Sequence, residues 1–314
     1  MKSACIWAIA AALAPLFAGG SASAASSRTW VSGHGADQAG CGAPTVPCRS
    51  LQYAHDHVIA GGEIDILDPA GYGAITITKA ISIVNDGVGT AGVQATSGSA
   101  ITINAGAADA VYLRGLNIDG VSGAADNGVL FNSGASLTVI DCVARHFGSD
   151  GIAFKPTTGT TKVLVFNTVA SDNGVTGIGF VYAPMATASV SAVIDHVIAN
   201  NGRNGIQIVA GDTSGTVSFN ITNVIADNNS DIGLDIEGNS TALFIVDRDN
   251  SSQNGTGLLI GGGSVYLSQS VIDGNVLGIF NDALTGGTFS SGDNHVDGNG
   301  TQTSGAALQS DGTI

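Results

Sequence analysis

From residue 63 onward the chain alternates short runs of β-branched and aliphatic residues with polar segments rich in glycine, asparagine and aspartate. Such runs, bounded by turn-forming residues, predict β-strands. Through the middle of the chain a glycine followed by an aliphatic residue returns at intervals of 21 to 28 residues. Self-similarity on this scale indicates a solenoid rather than a globular domain. The seven pairs are Gly128-Val129, Gly151-Ile152, Gly177-Ile178, Gly205-Ile206, Gly233-Leu234, Gly257-Leu258 and Gly278-Ile279.

Two columns of the repeat alignment contain only valine and isoleucine. Coils stacked at the parallel inter-strand spacing of about 4.8 Å place each member of a column over the next. Each column therefore predicts a continuous strip of hydrophobic core. The columns are Val139, Val165, Val193 and Ile221, and Val143, Val169, Val197 and Ile225.

Two further columns are polar and fall at the turns. Asparagine tolerates left-handed backbone geometry, and its amide can hydrogen-bond to the residues above and below it in a stack. We therefore predict an asparagine ladder and a second polar column. Their members are Asn173, Asn201 and Asn229, and Asp141, Asn167, Asp195 and Asn223.

These columns favour an all-β, right-handed parallel β-helix solenoid with an N-terminal capping helix. A β-sandwich is the alternative, because it also consists of short strands. Its hairpins call for paired strands with two-residue turns, whereas these strand signals come in register at one coil length. A βαβ fold needs a helix of ten or more residues between strands, and no segment after Gly62 has that period.

The first residues have the order of a secretory signal peptide: a charge at Lys2, an apolar run from Ile6 to Phe17, and small residues ending in Ala22-Ser23-Ala24. The sequence therefore predicts a secreted or periplasmic protein. No later run approaches the roughly 18 apolar residues that span a bilayer, so we predict no membrane span.

A capping helix is predicted just before the first strands. Ser50 can cap a helix on which Leu51, Ala54 and Val58 share one face, and Gly61-Gly62 ends it. A parallel solenoid needs its open end covered, because unpaired strand edges invite aggregation. The predicted segments are 1–24 (signal peptide), 25–74 (opening segment and capping helix), 75–300 (β-helix) and 301–314 (C-terminal tail or cap).

Three cysteines remain after the signal peptide. Cys41 and Cys48 bracket a tight Gly-Ala-Pro-Thr-Val-Pro sequence, which in an oxidising compartment predicts a short-loop disulfide. Cys142 is left alone, and we interpret it as a small buried residue rather than a reactive thiol.

The chain has a formal charge of −15 and a pI near 4.3. This charge argues against a nucleic-acid partner. It would also repel an extended polyanion such as a pectate or alginate chain unless calcium screened the contact. Charged residues are only 11% of the chain, so hydroxyls and amides must supply much of the polar surface.

The repeat pattern from Ile75 to Gly300 resembles the right-handed parallel β-helix repeats of the pectate-lyase-like superfamily. The opening segment is similar to that of many secreted bacterial members, in the stretches Trp30-Val31-Ser32-Gly33-His34-Gly35-Ala36-Asp37, Pro47-Cys48-Arg49-Ser50-Leu51, Gly61-Gly62-Glu63-Ile64 and Asp68-Pro69-Ala70-Gly71-Tyr72-Gly73. The resemblance implies the fold. It leaves the activity open, because the superfamily contains polysaccharide lyases, glycoside hydrolases, esterases and adhesins.

Two sets of residues are candidates for chemistry. Asp235 and Glu237 are the only acids at the outward positions after the glycine pairs, about 7 Å apart along one strand. They could bind a cation or a sugar hydroxyl, or form a solvated acidic patch. The second set has the densest mixture of acids and bases, and its members are Arg145, Asp150, Lys155 and Asp172.

In a lyase, Arg145 or Lys155 would act as the base and Asp150 and Asp172 as metal or substrate ligands. The alternative is that these residues decorate turns and pair with neighbouring coils. Calcium is expected only under the lyase interpretation, and no other cofactor or metal site is predicted.

We expect a non-enzymatic scaffold that binds a surface glycan or another protein along its length. Aromatic residues, which often form sugar-binding platforms, make up only 5% of the chain. The alternative is a polysaccharide lyase or glycoside hydrolase acting in a groove on the helix face. An enzyme needs several polar catalytic groups converging in one groove, and a scaffold needs none.

Overall fold

The computed structural model describes residues 26–121, 123–183, 185–283 and 285–312, so the predicted signal peptide lies outside the described residues. The described chain contains one helix, α1 (Leu51–His57), and strands β1 to β28. In chain order the strands span Ser26–Val31, Val58–Ile66, Ala70–Gly71, Ile75–Ile77, Ile81–Val84, Ala91–Gln94, Ile101–Asn104, Ala110–Arg114, Leu116–Asp119, Val129–Ser133, Ser136–Ile140, Val143–Arg145, Ile152–Phe154, Thr160–Ser171, Thr176–Val181, Ser189–Ile198, Asn204–Ala210, Val217–Thr222, Ile232–Gly238, Leu243–Asp247, Asn250–Ser252, Thr256–Ser268, Val271–Asp273, Leu277–Asn281, Gly286–Ser290, His295–Asp297, Thr301–Gly305 and Gln309–Ser310.

The strands of successive coils pair in parallel in three stacks, here called the first, second and third sheets, and each coil passes through them in turn. This arrangement confirms the predicted parallel β-helix. The first sheet contains β1, β2, β5, β8, β11, β14, β16, β18, β20, the second half of β22, β25 and β28. The second contains β3, β6, β9, β12, the ends of β14 and β16, β21, β23 and β26. The third contains β4, β7, β10, β13, β15, β17, β19, the first half of β22, β24 and β27.

The core consists of aliphatic columns on the inner faces of the sheets. Strand alternation turns every second side chain inward, and the register places like residues on successive coils. All members are buried. In the third sheet the column reads Ile75, Ile101, Val129, Ile152, Ile178, Ile206, Leu234, Leu258 and Ile279. In the first sheet it reads Ile64, Ile83, Leu113, Val139, Val165, Ile194, Ile221, Val246 and Leu267.

The predicted register is wrong by one residue in one coil. Val165 pairs with Ile194 instead of Val193, and Val169 pairs with Ile198 instead of Val197. The coil that ends at β16 gains one residue, and the following turn loses one before the next glycine pair. An alignment on the glycine pairs therefore cannot detect the shift.

The second predicted core strip is on the wrong side of the second sheet. After the register correction the strip consists of Val143, Val169, Ile198 and Ile225. These residues face outward, and Ile225 is 37% exposed. A residue with positive φ at the turn between the first and second sheets changes which side the next residues face. The inner column consists of small residues instead, namely Ala144, Ala170, Ala199 and Ala226.

The turn between the first and second sheets is a column of residues with positive φ. Asn167 donates a hydrogen bond from Nδ2 to Asp141 Oδ1 at 2.7 Å, which is the predicted stacking of polar turn residues. The left-handed position in the next coil belongs to His196 rather than to the predicted Asp195, but Asp195 still takes part in the stack, because its Oδ1 accepts a hydrogen bond from Asn223 Nδ2 at 2.7 Å. The column includes Asp141, Asn167, His196, Asn223, Arg248 and Gln269.

The turn between the second and third sheets carries a buried asparagine ladder. Each Nδ2 donates to a backbone carbonyl of an earlier coil, as from Asn229 to Ala199 at 3.1 Å. The predicted member Asn201 is not in this ladder, because Gly202 takes its place and Asn201 lies outside with a φ of 58°. The buried members are Asn173, Asn229, Asn254 and Asn275, and Asn299 continues the ladder at the C-terminal end.

Helix α1 packs against the first strands and covers the free edge of the third sheet. Ser50 caps it, because its Oγ accepts a hydrogen bond from Tyr53 N at 3.2 Å. Gln52 Oε1 accepts a hydrogen bond from Thr76 N at 2.7 Å, so the helix satisfies an edge donor of β4. The helix ends at His57, earlier than the glycine pair at 61 and 62 indicates, because Val58 already begins β2.

The predicted disulfide in the opening segment is confirmed: Cys41 and Cys48 form a disulfide bond, with a Cα separation of 5.0 Å. Parallel pairing already begins with β1 and continues to β28, so it extends beyond residues 75–300 at both ends. The inner column becomes polar at the C-terminal end, where Thr303 follows Ile279. In the described part of the chain no helix reaches the length and hydropathy of a membrane span.

Candidate functional site

The outer face of the third sheet carries three columns of outward residues. Two of them arise because the alternation that sends isoleucines inward sends the intervening residues outward. The third, the edge column, lies two positions before the inward isoleucines, and it shares the outer side because a Cβ on Gly179 would be 3.9 Å from Thr176 Cβ. The edge column reads Asn127, Asp150, Thr176, Asn204 and Ile232. The central column reads Ala153, Gly179, Gln207, Asp235 and Leu259, and the far column reads Val181, Val209 and Glu237.

Asp150 and Lys155 meet on this face, with Asp150 Oδ2 3.9 Å from Lys155 Nζ. Asp150 is 5% exposed. Burial raises the pKa of its carboxyl, and the opposing effects are the charge of Lys155 and hydrogen bonds from Thr176. The carboxyl lies over a glycine, because a Cβ on Gly179 would be 3.5 Å from Oδ2. The small residue in the central column thus leaves room for this acid.

Asp235 lies three coils further along the same face and is 2% exposed. Gln207 donates a hydrogen bond from Nε2 to its Oδ2 at 2.8 Å, while Oδ1 has no partner. Burial, together with the charges of Glu237 and Asp231, raises the pKa of Asp235 to about 6, and the hydrogen bond from Gln207 opposes this shift. Among the described residues, no lysine, arginine or histidine forms an ion pair with Asp235 or Glu237.

The other two predicted residues lie elsewhere. Arg145 ends β12 in the second sheet, with Nε 3.4 Å from Asp119 Oδ2. Asp172 lies at the turn between the second and third sheets and accepts a hydrogen bond from Asn201 at 3.0 Å. Of the four residues that a lyase mechanism would use, the structure therefore brings only Asp150 and Lys155 into contact.

Two adjoining cavities of about 720 and 390 Å³ lie at this turn, beside the third sheet. They share Asn173, Gly174 and Asn201, so they form one groove along the coil axis. The lining residues include one positive-φ column from five successive coils, about 19 Å long at the inter-strand spacing. The column reads His146, Asp172, Asn201, Asn228 and Gln253.

The wall of the groove is polar and contains a salt bridge. Arg203 Nη2 is 3.1 Å from Asp231 Oδ2, and Asn228 Nδ2 donates to Asn201 Oδ1 at 2.7 Å. Val276 adds an apolar surface, because it is 74% exposed. This groove was not predicted from the sequence: the polar turn column signals it, but only the stacked coils show that the turns leave a channel.

Within the described residues, no group of three or more histidine, cysteine, aspartate or glutamate side chains is placed to hold a metal ion. The carboxylates of the third-sheet face are spread over several coils, with Asp150 paired to Lys155 and Asp235 bonded to Gln207. This donor set does not fit the calcium site that a lyase would need.

No family model matches the chain, and no curated protein matches it. Among solved structures, the crystal structure of pectate lyase Pel9A is similar, with a TM-score of 0.57 and 16% sequence identity over 90% of this chain and 82% of that chain. ORF18 of Geobacillus virus E2 also aligns, with a TM-score of 0.40 and 14% identity over 76% of this chain and 52% of that chain. The first likeness shows that the chain has the parallel β-helix fold of a pectate lyase.

Proposed function

We propose that this protein is an exported, non-catalytic β-helix that binds a polysaccharide along the groove between its second and third sheets. The observation that carries the proposal is the continuity of the two cavities across successive coils. A linear chain of sugars matches a groove that repeats once per coil, because both present the same groups at regular intervals.

The chemistry of the groove fits hydroxyl-rich ligands. Amides both donate and accept hydrogen bonds, as sugar hydroxyls do, and the side chains of Asn201, Asn228 and Gln253 lie on the groove wall. Val276 offers an exposed apolar contact for the C–H face of a sugar ring. Export is supported by the Cys41–Cys48 disulfide, because such bonds persist in oxidising compartments.

Replacing Asn201 and Asn228 together by glycine tests the proposal. Both residues have positive φ, so glycine preserves the backbone while removing the two amides. We expect affinity for the cognate polysaccharide to fall at least tenfold, with little change in melting temperature. The measurement is isothermal titration calorimetry after a screen of neutral, acidic and amino-sugar polysaccharides, with and without calcium.

Asn167→Gly with Asn223→Gly is the matched control. These two asparagines also have positive φ and also stack, but they lie at the turn between the first and second sheets. Their replacement should leave binding unchanged. The proposal is wrong if no polysaccharide in the screen binds, or if the control pair weakens binding as much as the groove pair.

A glycoside hydrolase is the second candidate, because Asp235 and Glu237 share one face of a strand. An acid whose pKa is raised to about 6 beside a second carboxylate is the pairing that glycosidases use. This candidate requires release of reducing ends from a bound polysaccharide, abolished by Asp235→Asn and by Glu237→Gln. Polysaccharide that binds without release of reducing ends or unsaturated products supports the scaffold instead.

A further inference from the structure

Among the described residues, three buried side-chain oxygens on the third-sheet face have no hydrogen-bond partner, namely Asn127 Oδ1, Asn204 Oδ1 and Asp235 Oδ1, and the last two lie on neighbouring strands. Asn204 and Asp235 are both at least 96% buried. They lie on adjacent strands, since Asn204 is in β17 and Asp235 is in β19, which pair in parallel. Buried acceptors without donors cost free energy, so this face is arranged to receive a group that donates.

The donor that fits carries positive charge. Asp235 and Glu237 lie on the same face of β19, and two cations of earlier coils are committed elsewhere: Arg203 to Asp231 and Lys155 to Asp150. A hydroxyl donates one hydrogen bond and leaves both carboxylates uncompensated. A primary ammonium group has three donors and a charge that offsets the carboxylates. The formal charge of −15 adds a field that favours cationic ligands.

This face is continuous with the polysaccharide groove. Arg203 lines the larger cavity and is the chain neighbour of Asn204. Gln207 and Glu237, which border Asp235, are only half-buried, so two flexible side chains separate its carboxyl from solvent. A substituent that projects from a sugar in the groove toward the third sheet meets these residues first.

We propose that the third-sheet face binds the protonated amine of an amino sugar through Asp235, Glu237 and Asn204, so that the ligand is a polysaccharide containing free hexosamine rather than uronate. This inference rests on the proposed function, because it names the chemistry of the polysaccharide in the groove. Uronate chains are disfavoured by the same carboxylates.

Three oligosaccharides of equal length separate the possibilities: oligomers of glucosamine, of N-acetylglucosamine and of galacturonic acid. Calorimetry at low ionic strength, at a pH above about 6, where Asp235 is ionised, and below the pKa of the sugar amine, should show the glucosamine oligomer binding at least tenfold more tightly than either other oligomer. Asp235→Asn and Glu237→Gln should each remove most of that preference. Asp212→Asn, an exposed acid that changes the net charge equally, should leave it intact.

The outcomes distinguish the two proposals. Equal binding of all three oligomers, or tighter binding of the acetylated or acidic one, overturns the amine inference. The groove proposal still stands in that case if Asn201→Gly with Asn228→Gly weakens binding of the oligomers. A preference for glucosamine that survives both Asp235→Asn and Glu237→Gln also overturns it. If none of the three oligomers and no polysaccharide of the screen binds, the groove proposal and the amine inference both fall.

Discussion

Asp249 is a carboxyl group that the fold buries, although burial disfavours its charged form. It is 1% exposed on the inner side of the coil. Ser251 Oγ donates a hydrogen bond to its Oδ2 at 2.8 Å, and Oδ1 has no partner. Burial raises the pKa of this carboxyl to about 7, the hydrogen bond from Ser251 opposes the shift, and the charge of Asp227 adds to it. The group is therefore neutral in the folded protein under mildly acidic conditions.

The pH dependence of stability follows from this shift. In the unfolded chain Asp249 titrates near its ordinary pKa of 3.8, so between about pH 4 and 7 the folded protein holds a proton that the unfolded chain has lost. The free energy of unfolding therefore falls as pH rises through this range. Asp249→Asn should flatten that fall and make the protein more stable than the parent at pH 8, as measured by chemical denaturation.

Asp282→Asn is the control for Asp249→Asn, because Asp282 is exposed and its replacement changes the net charge by the same amount. It should leave the slope of stability against pH unchanged. Asp235 contributes a fall of the same sign between about pH 4 and 6, so some slope remains in the Asp249→Asn variant. An unaltered slope in that variant contradicts the assignment.

At the scale of elements, the asparagine ladder fixes the turn between the second and third sheets. Asn254 shows the pattern: its Nδ2 donates to Ala226 O at 2.8 Å, and its Oδ1 accepts from Asn229 N at 2.8 Å. Asn275 continues it, because its Oδ1 accepts from Asn254 N at 2.8 Å. The amides thus satisfy backbone groups that a tight buried turn would otherwise leave unpaired.

Asn254→Ala should destabilise the protein by about 2 to 6 kcal/mol, because it leaves a buried carbonyl and a buried N–H unpaired at roughly 1 to 3 kcal/mol each. Asn228→Gly, at the exposed left-handed position of the same turn, should change stability by less than about 0.5 kcal/mol. Chemical denaturation of the two variants measures the contrast. Equal losses would mean that the buried ladder is not what holds the turn.

At the scale of the whole molecule, each coil contacts mainly the coil before and the coil after it, so stability is the sum of local coil terms and nearest-neighbour interfaces. The middle of the stack is reinforced by aromatic side chains inside the third and first sheets. Phe180 stacks on Phe154 with centroids 4.1 Å apart and meets Phe219 edge to face at 4.7 Å.

Phe180→Ala should therefore act locally. Removing this fully buried ring costs about 3 to 5 kcal/mol, which falls on its own coil and the adjacent ones. Hydrogen–deuterium exchange should accelerate in Ile152–Phe154 and Asn204–Ala210 while Ser26–Val31 and Gly286–Ser290 keep their protection. Uniform acceleration across the chain would show instead that the β-helix unfolds as one cooperative unit.

One part of the candidate site could be predicted from the sequence, and the other part required the structure. Asp235 and Glu237 could be assigned to an outward face from alternation alone, since two residues on one strand share a side regardless of register. The groove could not be assigned, because it requires knowing that Gly202, rather than Asn201, takes the ladder position in its coil. That choice depends on a one-residue difference between two turns.

Alternation of apolar residues and the return of a glycine pair once per coil were enough to determine a parallel β-helix, because these patterns depend only on backbone geometry that repeats. Proximity of Cys41 and Cys48 in the chain likewise favoured their disulfide. What only the tertiary structure decided is which side chains lie over one another. Left-handed turn residues change which side of the sheet the following segment faces. Neighbouring coils bury side chains in a way that the sequence of one coil does not show, and this burial raises the pKa of Asp150, Asp235 and Asp249.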